Sequence, residues 1–123
     1  MNGKIDFLAD SNTLLYILRS EPCIQAYLDK LFGISIISEI ELLCYKNIQP
    51  KEEATIKSLI NDCEFFGLDN AVKEETIRIR KKYGVKLPDA IIAATAIVNN
   101  LNLLTADKGF KKIAELNVIL LQP

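Results

Sequence analysis

Four carboxylic acids draw attention by where they fall, not by rarity, since this 123-residue chain carries 16 Asp and Glu. Asp10 directly follows the apolar run Phe7-Leu8-Ala9. Glu41 comes four residues after a second run ending at Ile37, Asp107 comes three after Leu104, and Asp89 opens the small-residue stretch that reaches Ala96. Carboxylates brought together repel one another unless protons or cations join them. Oxygen-only ligation suits Mg²⁺ or Mn²⁺. A cation held in this way activates water and stabilises charge building on a phosphoryl oxygen, which is the chemistry of phosphodiester hydrolysis.

What the chain lacks narrows the choice further. With no histidine, it has neither the commonest general base nor a Ser-His-Asp or Cys-His nucleophile arrangement. Cys23, Cys44 and Cys63 are odd in number, lack C-x-x-C spacing and have no His to help them bind zinc, so buried free thiols are expected. Chemistry must rest on carboxylates, lysines or metal.

The elements that would position the acids follow from periodicity. Short β-rich runs at 5–9, 33–37, 64–68, 101–104 and 118–121 alternate with helical patterns at 12–19, 22–32, 38–45, 51–63, 70–83, 88–99 and 108–116. Alternation of this kind predicts an α/β fold, a three-layer α/β/α sandwich around a mostly parallel sheet of four to five strands. Pro22 and Pro88 sit where first helical turns should begin, and Gly33 and Gly84 where helices should end. Leu14, Leu15 and Leu18 form a stripe facing the sheet. Ala90, Ala93, Ala94 and Ala96 form a close-packing helix face.

In open parallel sheets, ligands bind beyond the carboxyl ends of the strands. Asp10, Glu41 and Asp107 reach that edge by topology, and Asp89 joins them if its helix starts there. A plainer account stands beside this one: Asp is a favoured N-cap, Ser38-x-x-Glu41 has capping-box spacing, and acids near helix N-termini complement the helix dipole. Capping alone does not require the acids to converge.

Four segments, Phe7-Leu-Ala-Asp-Ser-Asn-Thr-Leu-Leu-Tyr16, Ile36-Ile-Ser-Glu-Ile-Glu-Leu-Leu43, Leu87-Pro-Asp-Ala-Ile-Ile-Ala-Ala-Thr-Ala96 and Leu103-Leu-Thr-Ala-Asp-Lys-Gly-Phe110, together resemble PIN domains. The likeness is greatest to VapC-type toxins of toxin–antitoxin pairs and extends over essentially the whole chain. It implies that Asp10, Glu41, Asp89 and Asp107 form an acidic Mg²⁺ or Mn²⁺ site, with Asn12 and Thr105 as polar support. The family pattern selects Glu41 over Glu39, and Ser11 stands where the family often has Thr. It further implies an endoribonuclease that leaves a 5′-phosphate and a 3′-hydroxyl, an antitoxin partner covering the acidic groove, and a homodimer formed through helices of the N-terminal half. A catalytically silent PIN-like module that acts by binding alone is the alternative from another class.

Substrate grip is read from the basic residues. Arg78, Arg80, Lys81, Lys82 and Lys86 precede the Asp89 helix, and Lys108, Lys111 and Lys112 follow Asp107; these could flank the acids and hold RNA phosphates. The same residues also fit a solvated helix face, with Glu74 and Glu75 four and five residues ahead of Arg78 and Arg80. Tyr16, Tyr45 and Tyr83 read as packing residues before base-stacking ones.

Two other phosphate-handling folds of this kind fit poorly. A receiver-like module could use Asp69 but needs a tandem acidic pair after the first strand, and a haloacid dehalogenase-type phosphatase needs Asp-x-Asp where this chain has Asp10-Ser11-Asn12. Length and a half-hydrophobic, quarter-charged composition predict one compact domain over 1–123. No apolar run approaches the roughly 20 residues that cross a bilayer, so no membrane partner and a cytoplasmic location are expected. At a net charge of −1, a nucleic acid would be held by a local basic patch and not by the overall field.

Overall fold

The computed structural model describes residues 4–123. Five strands, β1 (Phe7–Ala9), β2 (Phe32–Ser35), β3 (Glu64–Phe66), β4 (Asn102–Thr105) and β5 (Val118–Leu120), form one sheet in the order β3-β2-β1-β4-β5. Every neighbouring pair is parallel. The helices are α1 (Ser11–Leu18), α2 (Ile36–Leu43), α3 (Pro50–Asn61), α4 (Asn70–Tyr83) and α5 (Leu87–Val98). Two 3₁₀ turns, Pro22–Tyr27 and Lys108–Lys112, complete the elements.

Alternation along the strands sends side chains to two cores. Leu8 and Leu103 point to the layer of α4 and α5, where they meet Val72, Ile79, Ala93 and Ala94. Ala9 and Ile34 point the other way, to Leu14 of α1, Leu42 of α2 and Ile56 of α3. The layers are thus α/β/α, as the alternating pattern predicts. Full burial of a leucine such as Leu8 or Leu103 contributes about 1.5–3 kcal/mol. Residues Ala90 to Ala96 are all buried, so α5 is enclosed on every side over two turns. Four alanines allow that close approach, and Thr95 hides its hydroxyl by donating to the Ile91 carbonyl at 2.7 Å.

Several sequence expectations change. The 22–32 segment is not one helix: Pro22–Tyr27 makes a 3₁₀ turn and Phe32 already belongs to β2. The second strand ends at Ser35 and not at Ile37. Ser35 caps α2 by accepting from the Ser38 backbone N–H, so Ser38 lies inside the helix and the Ser38-x-x-Glu41 capping box does not form. The segment 108–116 is a 3₁₀ turn followed by a loop. Gly84 does close α4, at φ 66° in the left-handed region that glycine adopts without strain. Gly33 instead lies within β2, where a Cβ would come 2.5 Å from Phe66 Cε2. It is glycine because the neighbouring strand's aromatic ring occupies that space.

The cysteines are all free. Cys44 is exposed, contrary to expectation, while Cys23 and Cys63 are partly covered. Burial, helped by Asp62, pushes the Cys63 thiol up to about 11, which leaves it protonated and a poor nucleophile at neutral pH. Among the described residues, no helix is long and apolar enough to cross a membrane.

Candidate functional site

The strand order reverses between β1 and β4, and such a switch point opens a crevice at the carboxyl ends of the two strands. Asp10 leaves β1 there and Thr105 ends β4 beside it. Asp10 is buried, and both carboxylate oxygens are held. Oδ1 accepts from the Thr13 backbone N–H at 2.9 Å, and Oδ2 accepts from the Thr105 hydroxyl. Thr13 in turn donates its hydroxyl to the Leu104 carbonyl at 2.8 Å, fastening the first turn of α1 to β4. Each Asp10 oxygen keeps a further lone pair for a ligand.

Two more acids are tied into this crevice. Thr105 Oγ1 accepts from the Asp107 backbone N–H at 3.0 Å, which fixes where Asp107 leaves the strand. Asp107 is exposed and caps the following 3₁₀ turn by accepting from Gly109 N–H at 2.8 Å. On the other side, Ser11 donates its hydroxyl to Glu41 Oε1 at 3.1 Å, bringing α2 to the start of α1. A hydrogen-bonded chain therefore runs from Glu41 through the Ser11–Asp10 pair to Thr105 and Asp107.

Asp89 completes the group, held by no side-chain hydrogen bond among the described residues. Helix α5 begins at Leu87, with Lys86 as N-cap, so Asp89 lies in the first turn and caps nothing. Its carboxyl is held above the usual range, first by partial burial and then by the charges of Asp107, Glu41 and Asp10, with Lys86 opposing. The charges of the other three sequence-selected acids thus reach Asp89 at one edge of the sheet. Capping accounts for Asp10 and Asp107, as the plainer account requires. It does not account for Glu41, inside α2, or for Asp89.

None of the four forms an ion pair with a Lys or Arg among the described residues. Their donor set is oxygen alone, as Mg²⁺ and Mn²⁺ prefer. As they stand, no three acidic or thiol side chains among the described residues are close enough to chelate one ion. Glu41 Oε2 and the Asp89 carboxylate accept no hydrogen bond among the described residues, and with Asp10 and Asp107 they are the residues that would hold such an ion.

The remaining expected residues are dispersed. Asn12 is exposed on the first turn of α1 and Thr105 is buried in contact with Asp10. Of the basic residues, Arg78 pairs with Glu75 and Glu115, and Lys82 pairs with Glu115 and lies over the Tyr83 ring. Glu74 does not partner Arg78. Arg80, Lys81 and Lys108 are exposed and, among the described residues, in no ion pair, while Lys86 stands near Asp89. Tyr83 donates to Glu115 and accepts from Ala114 N–H, and Tyr16 packs around Ile24 and Leu121. Ser11 and Thr13 position the site although sequence reasoning assigned them no such part. The Asp10-x-x-Thr13 spacing of an N-cap and its third residue was the one available signal.

A three-layer parallel fold with a switch point belongs to the α/β class that binds ligands beyond the carboxyl ends of its strands. The model of the PIN domain matches residues 7–116, and the chain belongs to that family, whose members are in general nucleases. A search of curated proteins found no match. Among solved structures, the chain is similar to one in a toxin–antitoxin complex from Klebsiella pneumoniae, with TM-score 0.79 and 25% identity over 93% of this chain and 96% of that one. It shares the fold of a chain in DNA-bound VapBC from Salmonella typhimurium, with TM-score 0.81 and 20% identity over 94% and 98%. It also shares the fold of a chain in FitAcB from Neisseria gonorrhoeae, with TM-score 0.72 and 23% identity over 92% and 96%.

Proposed function

We propose that this PIN domain is a metal-dependent endoribonuclease and the VapC-type toxin of a toxin–antitoxin pair, with Asp10, Glu41, Asp89 and Asp107 as its catalytic acids. The observation that carries the reading is Asp89: a carboxyl free of capping duty, raised first by burial and then by three neighbouring acids, and in no ion pair among the described residues. Such an arrangement costs stability unless a cation is taken up. Mg²⁺ or Mn²⁺ is the fitting cation. Bound there, it would supply Lewis-acid stabilisation of the phosphoryl oxygens and an activated water.

The chain's own residues set the geometry. Thr13 and Thr105 orient Asp10 from two sides, so its unengaged lone pairs face the crevice in a fixed direction. Ser11 steadies Glu41, and the Thr105 hydroxyl places Asp107. Lys86 stands near Asp89, and Asn12 and Lys108, exposed and close in sequence to Asp10 and Asp107, are the further side chains proposed to meet a phosphate backbone. Without histidine, the water's proton must pass to a carboxylate or to solvent. Similarity to chains of toxin–antitoxin complexes supports an antitoxin partner, and a homodimer is proposed with it.

The silent binding module remains the second reading, favoured by one observation: the acids stand too far apart to chelate an ion as they are. Cleavage of RNA in Mg²⁺ or Mn²⁺, with EDTA and Asp10→Asn as controls, separates the two. Metal-dependent cleavage lost in Asp10→Asn supports the nuclease. Cleavage undiminished in that variant would remove the acids from the reaction, and no cleavage by the wild type would favour the binding module. Co-expression with the neighbouring gene of its operon tests the toxin assignment separately, by whether a small protein co-purifies.

A further inference from the structure

Beside Asp89 the surface opens into a cleft of about 280 Å³ lined by Gly84, Val85, Lys86, Asp89, Gly109, Phe110 and Lys112. It lies between the α4–α5 turn and the 3₁₀ turn that follows Asp107, so its wall is shared with the acidic crevice. Two cations, Lys86 and Lys112, come to it from segments far apart in the chain, and among the described residues neither is engaged in an ion pair. This contrasts with Arg78 and Lys82 nearby on α4, whose charges Glu115 already occupies.

We infer that this cleft is a subsite of the nucleic-acid path, in which Lys86 and Lys112 grip the phosphate next to the one that lies at the acids. The inference rests on the nuclease reading for the identity of its ligand and goes beyond it in assigning the path. Pockets that enclose a whole ligand start at about 300 Å³, and this cleft, at about 280 Å³, falls just short, which suits a phosphate held at its mouth. Glycines at both rims, Gly84 and Gly109, place no side chain across the opening. Phe110 is buried in the core against the α4–α5 layer and offers no free ring face for a base. The grip is therefore on backbone phosphate, without readout of sequence. An unpaired lysine pair beside unpaired acids also answers an electrostatic need: a polyanion approaching four carboxylates is repelled unless cations flank its neighbouring phosphates.

The test uses Asp10→Asn protein, which holds RNA without cutting it, and a labelled pool of mixed-sequence single-stranded RNA. Lys86→Ala and Lys112→Ala are each expected to weaken binding about 10-fold, the scale of one charge-assisted hydrogen bond. Each should also lower the slope of log affinity against log salt by about 0.7. Lys51→Ala, an exposed lysine of α3 outside the cleft, should do neither. Equal losses in Lys51→Ala, or unchanged binding in the Lys86→Ala/Lys112→Ala double variant, overturn the subsite. In the catalytically intact background the double variant should raise KM more than it lowers kcat. Wild-type cleavage unaltered by the double variant overturns the subsite while leaving the nuclease standing; absent cleavage with lysine-dependent binding removes the nuclease and keeps the subsite.

Discussion

Asp89 and Glu115 are acids in polar clusters a short way apart on the same side of the sheet, and their surroundings push them in opposite directions. Glu115 accepts from Tyr83, Lys82 and Arg78, the tyrosine hydroxyl foremost, and is pulled from its ordinary 4.5 down to about 2. Asp89 is partly buried, has other carboxylates for neighbours, and is pushed up, by burial first and by those charges after it. The Glu115 cluster is saturated: its charges are matched and its donors used, so it fastens the loop after the second 3₁₀ turn to α4 and has nothing left for a ligand. The acid cluster is unsaturated, and what it lacks is cationic. Charge density alone does not mark a functional site; unmatched charge does.

The sharpest way to break this contrast is to neutralise one acid on each side. Asp10→Asn should reduce RNA cleavage about 10³-fold, the order expected when several kcal/mol of metal-borne stabilisation is lost. Glu115→Gln should leave cleavage within a few-fold. A cleavage assay with both variants settles it, and comparable losses would erase the distinction.

Next in size is the hydroxyl that holds Asp10. Thr105→Val keeps the shape but leaves a buried carboxylate oxygen and the Asp107 N–H without their partner, at a cost of about 1–3 kcal/mol. Urea unfolding should show a lower midpoint at unchanged slope. An unshifted midpoint would mean that Asp10 does not depend on Thr105.

Asp89 should behave in the opposite sense. A carboxyl whose folded pKa is raised contributes stability below its unfolded pKa, and loses it as pH rises through the folded one. At neutral pH without divalent ions, Asp89→Asn should therefore melt higher than the wild type, with the gain shrinking as pH falls below the carboxylate range. Melting curves across pH check both statements, and added Mg²⁺ should narrow the gap by stabilising the wild type. A variant that melts lower at neutral pH would contradict an uncompensated charge at Asp89.

Glu115 supplies the smallest effect and the mirror sign. Its depressed pKa means that its contribution is present above 4.5 and is lost as pH falls toward about 2. Because the group is exposed, the effect is screened by salt. Glu115→Gln should melt slightly below the wild type at neutral pH and converge with it in acid or in high salt.

The layered α/β/α order was legible because runs such as Phe7-Leu8-Ala9 and Leu103-Leu104 are short, apolar and separated by helical patterns. Asp10, Glu41 and Asp107 were legible as edge candidates from their places after such runs, and Asp89 only from opening a helix. Element ends were not. Ser35 and Ser38 are equally good caps by type, and the strand register that ends β2 at Ser35 comes from pairing with β1 and β3. The segment after Pro22 looks helical by composition, yet Phe32 is drawn into the sheet against Phe7. Glutamate pairing across α4 was expected from Glu74 and Glu75, while the partner that matters most for Lys82 and Tyr83 is Glu115, more than 30 residues on.

What the sequence by itself determined, then, is whatever depends on contacts within a turn or two: the alternation of strands and helices, the left-handed stop at Gly84, the capping of Asp10 and Asp107, and the absence of histidine, which removes the commonest general base. Only the tertiary structure decided which acids are released from local duty and which cations are already spent. Those outcomes depend on long-range neighbours, such as the Thr105 hydroxyl that reaches Asp10 across 95 residues of chain. Spacing cannot encode the distance between groups whose meeting is set by the order of strands in a sheet.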